Sequence, residues 1–236
     1  MKAANVAETV KSEHAVALLK QMYGEKRAEE NAARYQLVAD GFAKEFGDKA
    51  FEFFSAPGRT EIGGNHTDHN HGKVLAGSVH LDCVAAAAPN GTHTVNLISE
   101  TYNQHLVIDL DDLAPTEKTT GTEPLLKGIF AGLLEKGCKV EGFDAYVTSN
   151  VIGGAGVSSS ASFEMLVCVI VDYLFNEGKI DVVTYAKAGQ YAENKYWLKG
   201  SGLLDQLACA VGGMITIDFA DIENPAIREI KCDFDE

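Results

Sequence analysis

The sequence predicts an α+β fold, and three observations lead to that class. Apolar residues recur at helical spacing over residues 12–46, short β-rich runs follow over residues 51–110, and further helical and strand patterns follow from residue 124 onward. This segregation of strands and helices is typical of α+β proteins. With 236 residues, of which 46% are hydrophobic and 23% charged, the chain is long enough to bury one large core.

The N-terminal part is expected to form two helices, which make up a helical extension over residues 1–48. Gly24 and Gly47 interrupt the pattern, because glycine disfavours a helix interior and is common just past a helix end. The apolar positions at helical spacing are Leu18, Leu19, Met22, Leu37, Val38, Phe42 and Phe46.

The next part has the pattern of an antiparallel sheet. Residues rich in β-branched, aromatic and small apolar types form short runs, and turn residues such as Pro89-Asn90-Gly91 separate them. The predicted strands are 51–55, 81–88, 93–99 and 104–110.

The remaining chain alternates helices with strands. Helical periodicity predicts helices at 124–136, 159–175, 181–197 and 203–211, and strand patterns predict strands at 143–149, 214–219 and 226–234. Since no stop signal follows the last strand, residues 223–236 are expected to begin a C-terminal lobe that is truncated here. Residues 49–222 would then form the main domain.

Charge and cysteine content exclude several classes of partner. The 34 acidic and 20 basic residues give a net charge of −14, which repels nucleic acid and anionic membrane surfaces. The five cysteines are scattered and form no C-x-x-C pair, which favours a reducing, cytoplasmic setting. The longest apolar run, 165–175, is too short to span a bilayer. The oligomeric state is left open.

A glycine-rich loop at residues 150–158 runs into three serines and an apolar helix. Glycine allows close approach of the backbone to a ligand, and the free N–H groups at a helix N-terminus favour an anion. The loop lacks the lysine of a Walker A motif, and it carries Ser159 where a dinucleotide fingerprint has its third glycine. The pattern therefore predicts a hydroxyl-rich phosphate site.

The segment His66-Thr67-Asp68-His69-Asn70-His71 has three interpretations. Three histidines and an aspartate suggest a zinc hydrolase, although no distant cysteine or histidine pair completes a ligand set. Alternatively Asp68 accepts hydrogen bonds from two sugar hydroxyls while His66 and Asn65 bind a third. The third interpretation is a solvated structural turn.

Three segments together resemble the galactokinase branch of the GHMP small-molecule kinases. They are Ala56-Pro57-Gly58-Arg59 with the following Asn65–Asn70, the stretch Gly154–Ala161, and Gly202-Leu203-Leu204-Asp205-Gln206. The resemblance covers about residues 51–219. It implies the N-terminal domain of these kinases, with a mixed sheet, helices on one side and a left-handed βαβ crossover, and with the C-terminal lobe largely absent.

The resemblance also implies an activity and its residues. The activity is transfer of the γ-phosphate of ATP to the 1-hydroxyl of galactose or a related hexose, with Mg²⁺ as cofactor. Asp205 and Arg59 would be catalytic, and Asn65, His66, Asp68 and Gly202 would hold the sugar. The phosphates of ATP would contact Gly154, Ala155, Gly156, Val157, Ser158, Ser159 and Ser160, and Ser160 with Glu193 would hold Mg²⁺.

The chain departs from the galactokinase pattern near the sugar. Asn65 replaces a glutamate, His69 a tyrosine and Glu61 an asparagine. These changes leave the identity of the sugar open. Two alternatives therefore remain: a sugar- and nucleotide-binding protein without transfer, and a GHMP kinase for another small alcohol.

Overall fold

The computed structural model describes residues 1–231 and contains one mixed β-sheet flanked by helices. Its strands are β1 (Glu52–Gly63), β2 (Lys73–Pro89), β3 (Thr94–Ser99), β4 (Gln104–Asp109), β5 (Phe143–Ser149), β6 (Met214–Asp218) and β7 (Ala226–Ile230). Its α-helices are α1 (Ala3–Thr9), α2 (Glu13–Tyr23), α3 (Ala28–Phe46), α4 (Thr122–Glu135), α5 (Ser159–Phe175), α6 (Val182–Lys195) and α7 (Leu204–Val211). A short 3₁₀ helix covers Asp68–Asn70.

Most of these elements agree with the predicted ones, and two differences stand out. The sequence pattern misses α1, whose seven residues are too few to show helical periodicity, although Val6 is fully buried. The predicted strands 51–55 and 81–88 are also shorter than β1 and β2. Glycine and polar residues interrupt the apolar pattern of these strands, whereas their backbone pairing continues through two irregularities of register.

β2 is the centre of the sheet. The strand order is β4-β3-β5-β2-β6-β7, and β1 pairs with β2 off this path. The 17 residues of β2 serve different neighbours along their length: β6 pairs with its first part and β5 with its second, both antiparallel. β3 pairs parallel with β5, so the sheet is mixed, as predicted. The hand of the crossover between these two strands stays a prediction.

Helices cover both faces of the middle of the sheet. Ala85 and Ala87 of β2 are buried in the core formed with α4 and α5, whereas Val84 and Ala86 pack in a second core with Phe42 of α3. Successive residues of a strand point to opposite faces, so a continuous apolar run must be covered twice. The four helices α4 to α7 pack together on one side, as predicted, and the N-terminal extension covers the other.

A buried polar network fastens the N-terminal extension to the sheet. Asp82 of β2 accepts hydrogen bonds from the hydroxyls of Tyr23 and Ser55 and from Arg34 Nη2, the last at 2.7 Å. Burial and the charge of Asp82 raise the pKa of the Tyr23 hydroxyl, which therefore stays a donor. The backbone carbonyl of Asp82 also accepts from the amide of Asn150 at 3.0 Å, so the network reaches the start of the glycine-rich loop.

The last described strand, β7, pairs antiparallel with β6. The remainder of the predicted strand 226–234, together with Cys232, lies outside the described residues, and the domain boundaries at 48 and 222 stay predictions. All four described cysteines are free thiols. Over residues 1–231, none of the helices is both long enough and apolar enough to cross a bilayer.

Candidate active site

Arg59 and Asp205 form the central ion pair of the site. Arg59 follows an irregularity in the β1–β2 register, between Pro57 and Arg59, and Asp205 stands in the first turn of α7. The guanidinium donates Nε to Oδ1 and Nη2 to Oδ2 of Asp205, both at 2.8 Å, and Arg59 is only 7% exposed. This bidentate pairing fixes the position of the carboxylate.

Asp205 is held in its ionised form. Burial alone would raise the pKa of this carboxyl, but hydrogen bonds from Arg59 and Ser158 outweigh burial and hold the pKa below its usual value. Burial likewise opposes the charge of Arg59, yet the hydrogen bonds and charge of Asp205 raise the pKa of the guanidinium. Both groups are therefore charged at neutral pH.

The glycine-rich loop is joined to this ion pair. The Ser158 hydroxyl donates to Asp205 Oδ2, and Arg59 Nη1 donates to the carbonyl of Gly156 at 2.9 Å. The amide of Arg59 donates to the carbonyl of Val157 at 3.1 Å. A Cβ at Gly58 would lie 2.7 Å from that same carbonyl, so only glycine lets strand and loop approach this closely.

The loop has the geometry of an anion site. Gly154 and Gly156 adopt φ of +82° and +76°, and Ser158, the residue before α5, adopts +56°. The 17-residue helix α5 begins at Ser159, and the first amides of a helix have no partner within it. Residues Gly153 to Gly156 are exposed and Ser158 to Ser160 are half-buried, so the loop is accessible to a ligand.

A cavity of about 240 Å³ lies beside Ser159 and Ser160. Aromatic rings from Tyr102 and Trp197 line it, and the Trp197 indole donates to the carbonyl of Gly121 at 2.9 Å. An apolar cavity with a few polar groups next to a phosphate loop can hold a flat ring.

Asp68 and Gly202 form the opposite wall of the site. Asp68 begins the 3₁₀ helix and is 5% exposed, and its Oδ2 accepts from the amide of Leu204 at 3.1 Å. A second cavity of about 280 Å³ opens here. Its wall consists of His66, Asp68, His69, Glu193, Lys199, Gly200, Ser201, Gly202, Asp205 and Gln206.

The loop that carries Asn65 and His66 is held by Glu61. Asn65 and His66 both adopt positive φ, at 58° and 50°, and both are exposed. The amide of His66 donates to Glu61 Oε1 at 2.8 Å, and its ring Nε2 lies 3.1 Å from Glu61 Oε2. Glu61, which the sequence marks only as a departure from a pattern, thus orients His66.

Ser160 and Glu193 lie together, as the predicted metal site requires. The Ser160 hydroxyl donates to Glu193 Oε1 at 3.0 Å. By itself Glu193 looks in the sequence like an ordinary exposed glutamate, yet it is 2% exposed in the structure. Mg²⁺ prefers oxygen ligands and is commonly held by one or two carboxylates together with substrate phosphates. A hydroxyl and a buried carboxylate beside a phosphate loop fit that ion.

The three histidines of the 66–71 segment fit a zinc site less well than Ser160 and Glu193 fit a magnesium site. Over residues 1–231, no group of three or more histidine, cysteine, aspartate or glutamate side chains is arranged to hold a metal ion. His66 instead faces Glu61, and His69 Nδ1 lies 3.4 Å from Asp68 Oδ1.

Glu164 is a buried acid that the sequence patterns did not single out. It lies one turn beyond Ser160 on α5, is fully buried, and accepts a hydrogen bond from Gln206 Nε2 at 3.0 Å. Burial, together with the charge of Glu193, raises the pKa of Glu164 to about 8. The spacing of four residues between Ser160 and Glu164 on the predicted helix was the available signal, but burial of an acid is not visible in sequence.

Most of the predicted site residues converge. Arg59, Asp205 and Ser158 form one hydrogen-bonded cluster. His66, Asp68, Gly202 and Glu193 line the cavity that Asp205 also lines, and Glu193 is hydrogen-bonded to Ser160. Asn65 stands on the exposed rim. The roles of these residues stay predictions.

Two sequence families match the chain. Residues 40–89 match the galactokinase galactose-binding signature, and residues 124–213 match the GHMP kinases N terminal domain. The galactokinases of Clostridium tetani and Ligilactobacillus salivarius are 34% and 36% identical to the chain over 171 and 180 residues. These alignments cover 72% and 75% of this chain but 43% and 46% of the relatives.

A solved structure shows the same architecture. The crystal structure of Lactococcus lactis galactokinase complexed with galactose superposes with a TM-score of 0.75 at 30% identity, covering 84% of this chain and 52% of the other. The chain thus spans about half the length of the relatives it matches.

Proposed function

Because this chain belongs to the galactokinase branch of the GHMP kinases over its matched residues, we propose that it acts in transfer of the γ-phosphate of ATP to the anomeric 1-hydroxyl of galactose or a related hexose. The observation that carries the proposal is the cluster of Arg59, Asp205 and Ser158, which joins the glycine-rich loop to the wall of the Asp68 cavity.

The phosphate end of the site is formed by residues 154–160. Its free amides and hydroxyls would bind the phosphates of ATP, and the aromatic cavity at Tyr102 and Trp197 would take the base. Mg²⁺ held by Ser160 and Glu193 with those phosphates would offset negative charge on the transferred group.

The sugar end is the cavity at Asp68. Asp68 Oδ2 accepts from the amide of Leu204, so Oδ1, which has His69 Nδ1 at 3.4 Å, would be the oxygen that accepts from sugar hydroxyls, and His66, oriented by Glu61, lines the same cavity. The 1-hydroxyl would lie at Asp205, opposite the phosphate loop.

Asp205 and Arg59 act on the reacting groups. Because its pKa is lowered, Asp205 is ionised and can accept a hydrogen bond from the 1-hydroxyl. It would then either receive the proton as the phosphoryl group is transferred or orient the hydroxyl electrostatically. Arg59 holds this carboxylate and lies against the carbonyl of Gly156, where its charge offsets that of the γ-phosphate. Positioning and charge stabilisation carry most of the rate in such reactions.

A second candidate is a sugar- and nucleotide-binding protein without transfer. The exposed amide of Asn65, in the place of a galactokinase glutamate, favours it, because an amide binds a hydroxyl differently from a carboxylate. The same replacement at Asn65 supports a kinase for another small alcohol. Both candidates keep the same small-molecule partners and a cytoplasmic setting.

The test is a coupled ADP-release assay on the chain with Mg·ATP and galactose, N-acetylgalactosamine, glucose or mevalonate, run beside calorimetry for each ligand. We expect ADP release with galactose or a close hexose and a reduced rate in Asp205→Asn. Binding of sugar and ATP with no ADP release from any of the four, in the chain tested both alone and together with any downstream sequence, would favour the binding protein and end the kinase proposal.

A further inference from the structure

Lys199 contacts the carboxylate that is the candidate metal ligand. Its Nζ lies 2.8 Å from Glu193 Oε1, the same oxygen that accepts the hydrogen bond from Ser160. Glu193 is 2% exposed, whereas the side chain of Lys199 is 57% exposed. The buried partner is therefore fixed, and the cationic partner is free to move into solvent.

The backbone before Lys199 is strained in a way that favours this contact. Leu198 adopts φ of 54°, in the left-handed region that is unfavourable for an L-residue with a bulky side chain. Its side chain is 71% exposed, so packing does not offset the cost. The turn closes with a hydrogen bond from the amide of Lys199 to the carbonyl of Glu193 at 3.0 Å. This turn brings the chain back so that Lys199 reaches the acid.

The surroundings of Glu193 explain the need for a cation. Of the acids near Glu193, Asp68 and Asp205 line the same cavity, and the charge of Asp205 is already paired with Arg59. Glu164 is mostly protonated at neutral pH, and Ser160 and Gln206 are neutral, so none of these supplies a positive charge. A carboxylate that is buried among other acids needs a nearby positive charge. Lys199 supplies it in the absence of metal.

We propose that Lys199 is a tethered cation that occupies Glu193 while no Mg²⁺ is bound, and that it must leave this carboxylate before the metal can bind. The inference rests on the proposed kinase function, since it takes Ser160 and Glu193 as metal ligands. A lysine ammonium and a divalent ion cannot share one carboxylate oxygen without strong mutual repulsion. Once released, the ammonium faces the cavity that Asp205 also lines.

The first experiment measures the melting temperature of the chain in EDTA and in MgCl₂, for the parent, Lys199→Met and Lys195→Met. Lys195 is an exposed lysine in the last turn of α6 and serves as the matched control. In EDTA we expect Lys199→Met alone to melt below the parent, because Glu193 loses its counter-charge. In MgCl₂ we expect its melting temperature to rise more than that of the other two, because the ion now binds without competition.

The second experiment measures Mn²⁺ binding directly, by electron paramagnetic resonance of the free ion, with a non-hydrolysable ATP analogue present. We expect the Mn²⁺ Kd of Lys199→Met to be lower than that of the parent by about fivefold or more, within the usual range of coupling between linked ligands. Lys199→Gln, which keeps a donor without the charge, should behave in the same way. The double variant Glu193→Gln with Lys199→Met should lose the gain.

Equal Mg²⁺ shifts in all three proteins, or an unchanged Mn²⁺ Kd, would overturn the proposal. Neither measurement requires turnover, so a protein that binds metal as expected but releases no ADP, also when any downstream sequence is present, would contradict the kinase function and leave this inference standing. If the parent transfers phosphate but Lys199→Met binds Mn²⁺ like the parent, the kinase function stands and this inference is wrong.

Discussion

Gly202 and Asp68 touch so closely that no side chain fits between them. A Cβ built on Gly202 would lie 1.7 Å from Asp68 Oδ2, the oxygen that accepts from the amide of Leu204 at 3.1 Å. The contact joins the 3₁₀ helix at Asp68–Asn70 to the residues that lead into α7. The position of the Asp68 carboxylate therefore depends on Gly202.

Gly202→Ala is expected to displace the Asp68 carboxylate and weaken galactose binding about tenfold or more, which is about 1.4 kcal/mol. Isothermal calorimetry with galactose measures the effect. The matched control is Gly200→Ala, because a Cβ at Gly200 meets no atom within 4 Å and the residue lines the same cavity. Equal galactose affinity in both variants would show that Asp68 does not hold the sugar.

Asp205→Asn is expected to lower kcat by about 10²–10⁴, because an amide cannot take the proton of the attacking hydroxyl. The ADP-release assay measures it at saturating sugar and Mg·ATP. Thermal melting of the same variant distinguishes a loss of chemistry from a loss of folded protein. Turnover at the parent rate would remove Asp205 from the mechanism.

The Arg59–Asp205 pair is expected to be strongly coupled in stability. Removing one partner of a fully buried ion pair costs roughly 3–5 kcal/mol. Arg59 is buried but the side chain of Asp205 is 29% exposed, so Arg59→Met should destabilise the chain by less than that. Adding Asp205→Asn should return part of that loss, since the remaining charge is gone. Urea unfolding of the two single variants and the double variant gives the coupling energy, and strict additivity would contradict the pairing.

Glu164→Gln is expected to stabilise the chain at neutral pH. The folded pKa of Glu164, about 8, lies above its ordinary value of 4.5, so its contribution to stability is full below pH 4.5 and is lost as the pH rises toward 8. Glutamine does not titrate. As the pH rises from 4.5 to 7, the free energy of unfolding of the parent should therefore fall by on the order of 3 kcal/mol relative to that of the variant. Unfolding in urea across this pH range tests it. The exposed Glu229→Gln should follow the parent at every pH.

Tyr23→Phe is expected to loosen the N-terminal extension. It removes the hydroxyl that donates to Asp82 at 2.6 Å, and hydrogen bonds to charged groups contribute about 1.5–3 kcal/mol. Urea unfolding measures the loss, with Tyr173→Phe as the control because Tyr173 is 60% exposed. Faster hydrogen exchange at residues 150–157 would show that the network supports the loop, and an unchanged exchange rate there would argue against that connection.

Predictions from the sequence worked best where local patterns are strong. The helix at 159–175 and the strand at 143–149 agree with α5 and β5 residue for residue, because each is rich in apolar residues and its ends are marked by polar or turn residues. The pattern failed where tertiary pairing overrides it, as in the polar part of β1 around Arg59, and where an element such as α1 is too short to show a period.

The sequence by itself determined the class of fold, the glycine-rich loop ahead of α5, and the residue types that phosphate and sugar chemistry require, since these depend on spacing along the chain. Only the tertiary structure decided that Arg59 and Asp205, 146 positions apart, meet at 2.8 Å, that Glu193 is buried and paired with Lys199, and that Glu164 lies in the core. The reason is physical: charge pairing and burial depend on distances through space between elements, which the order of residues does not state.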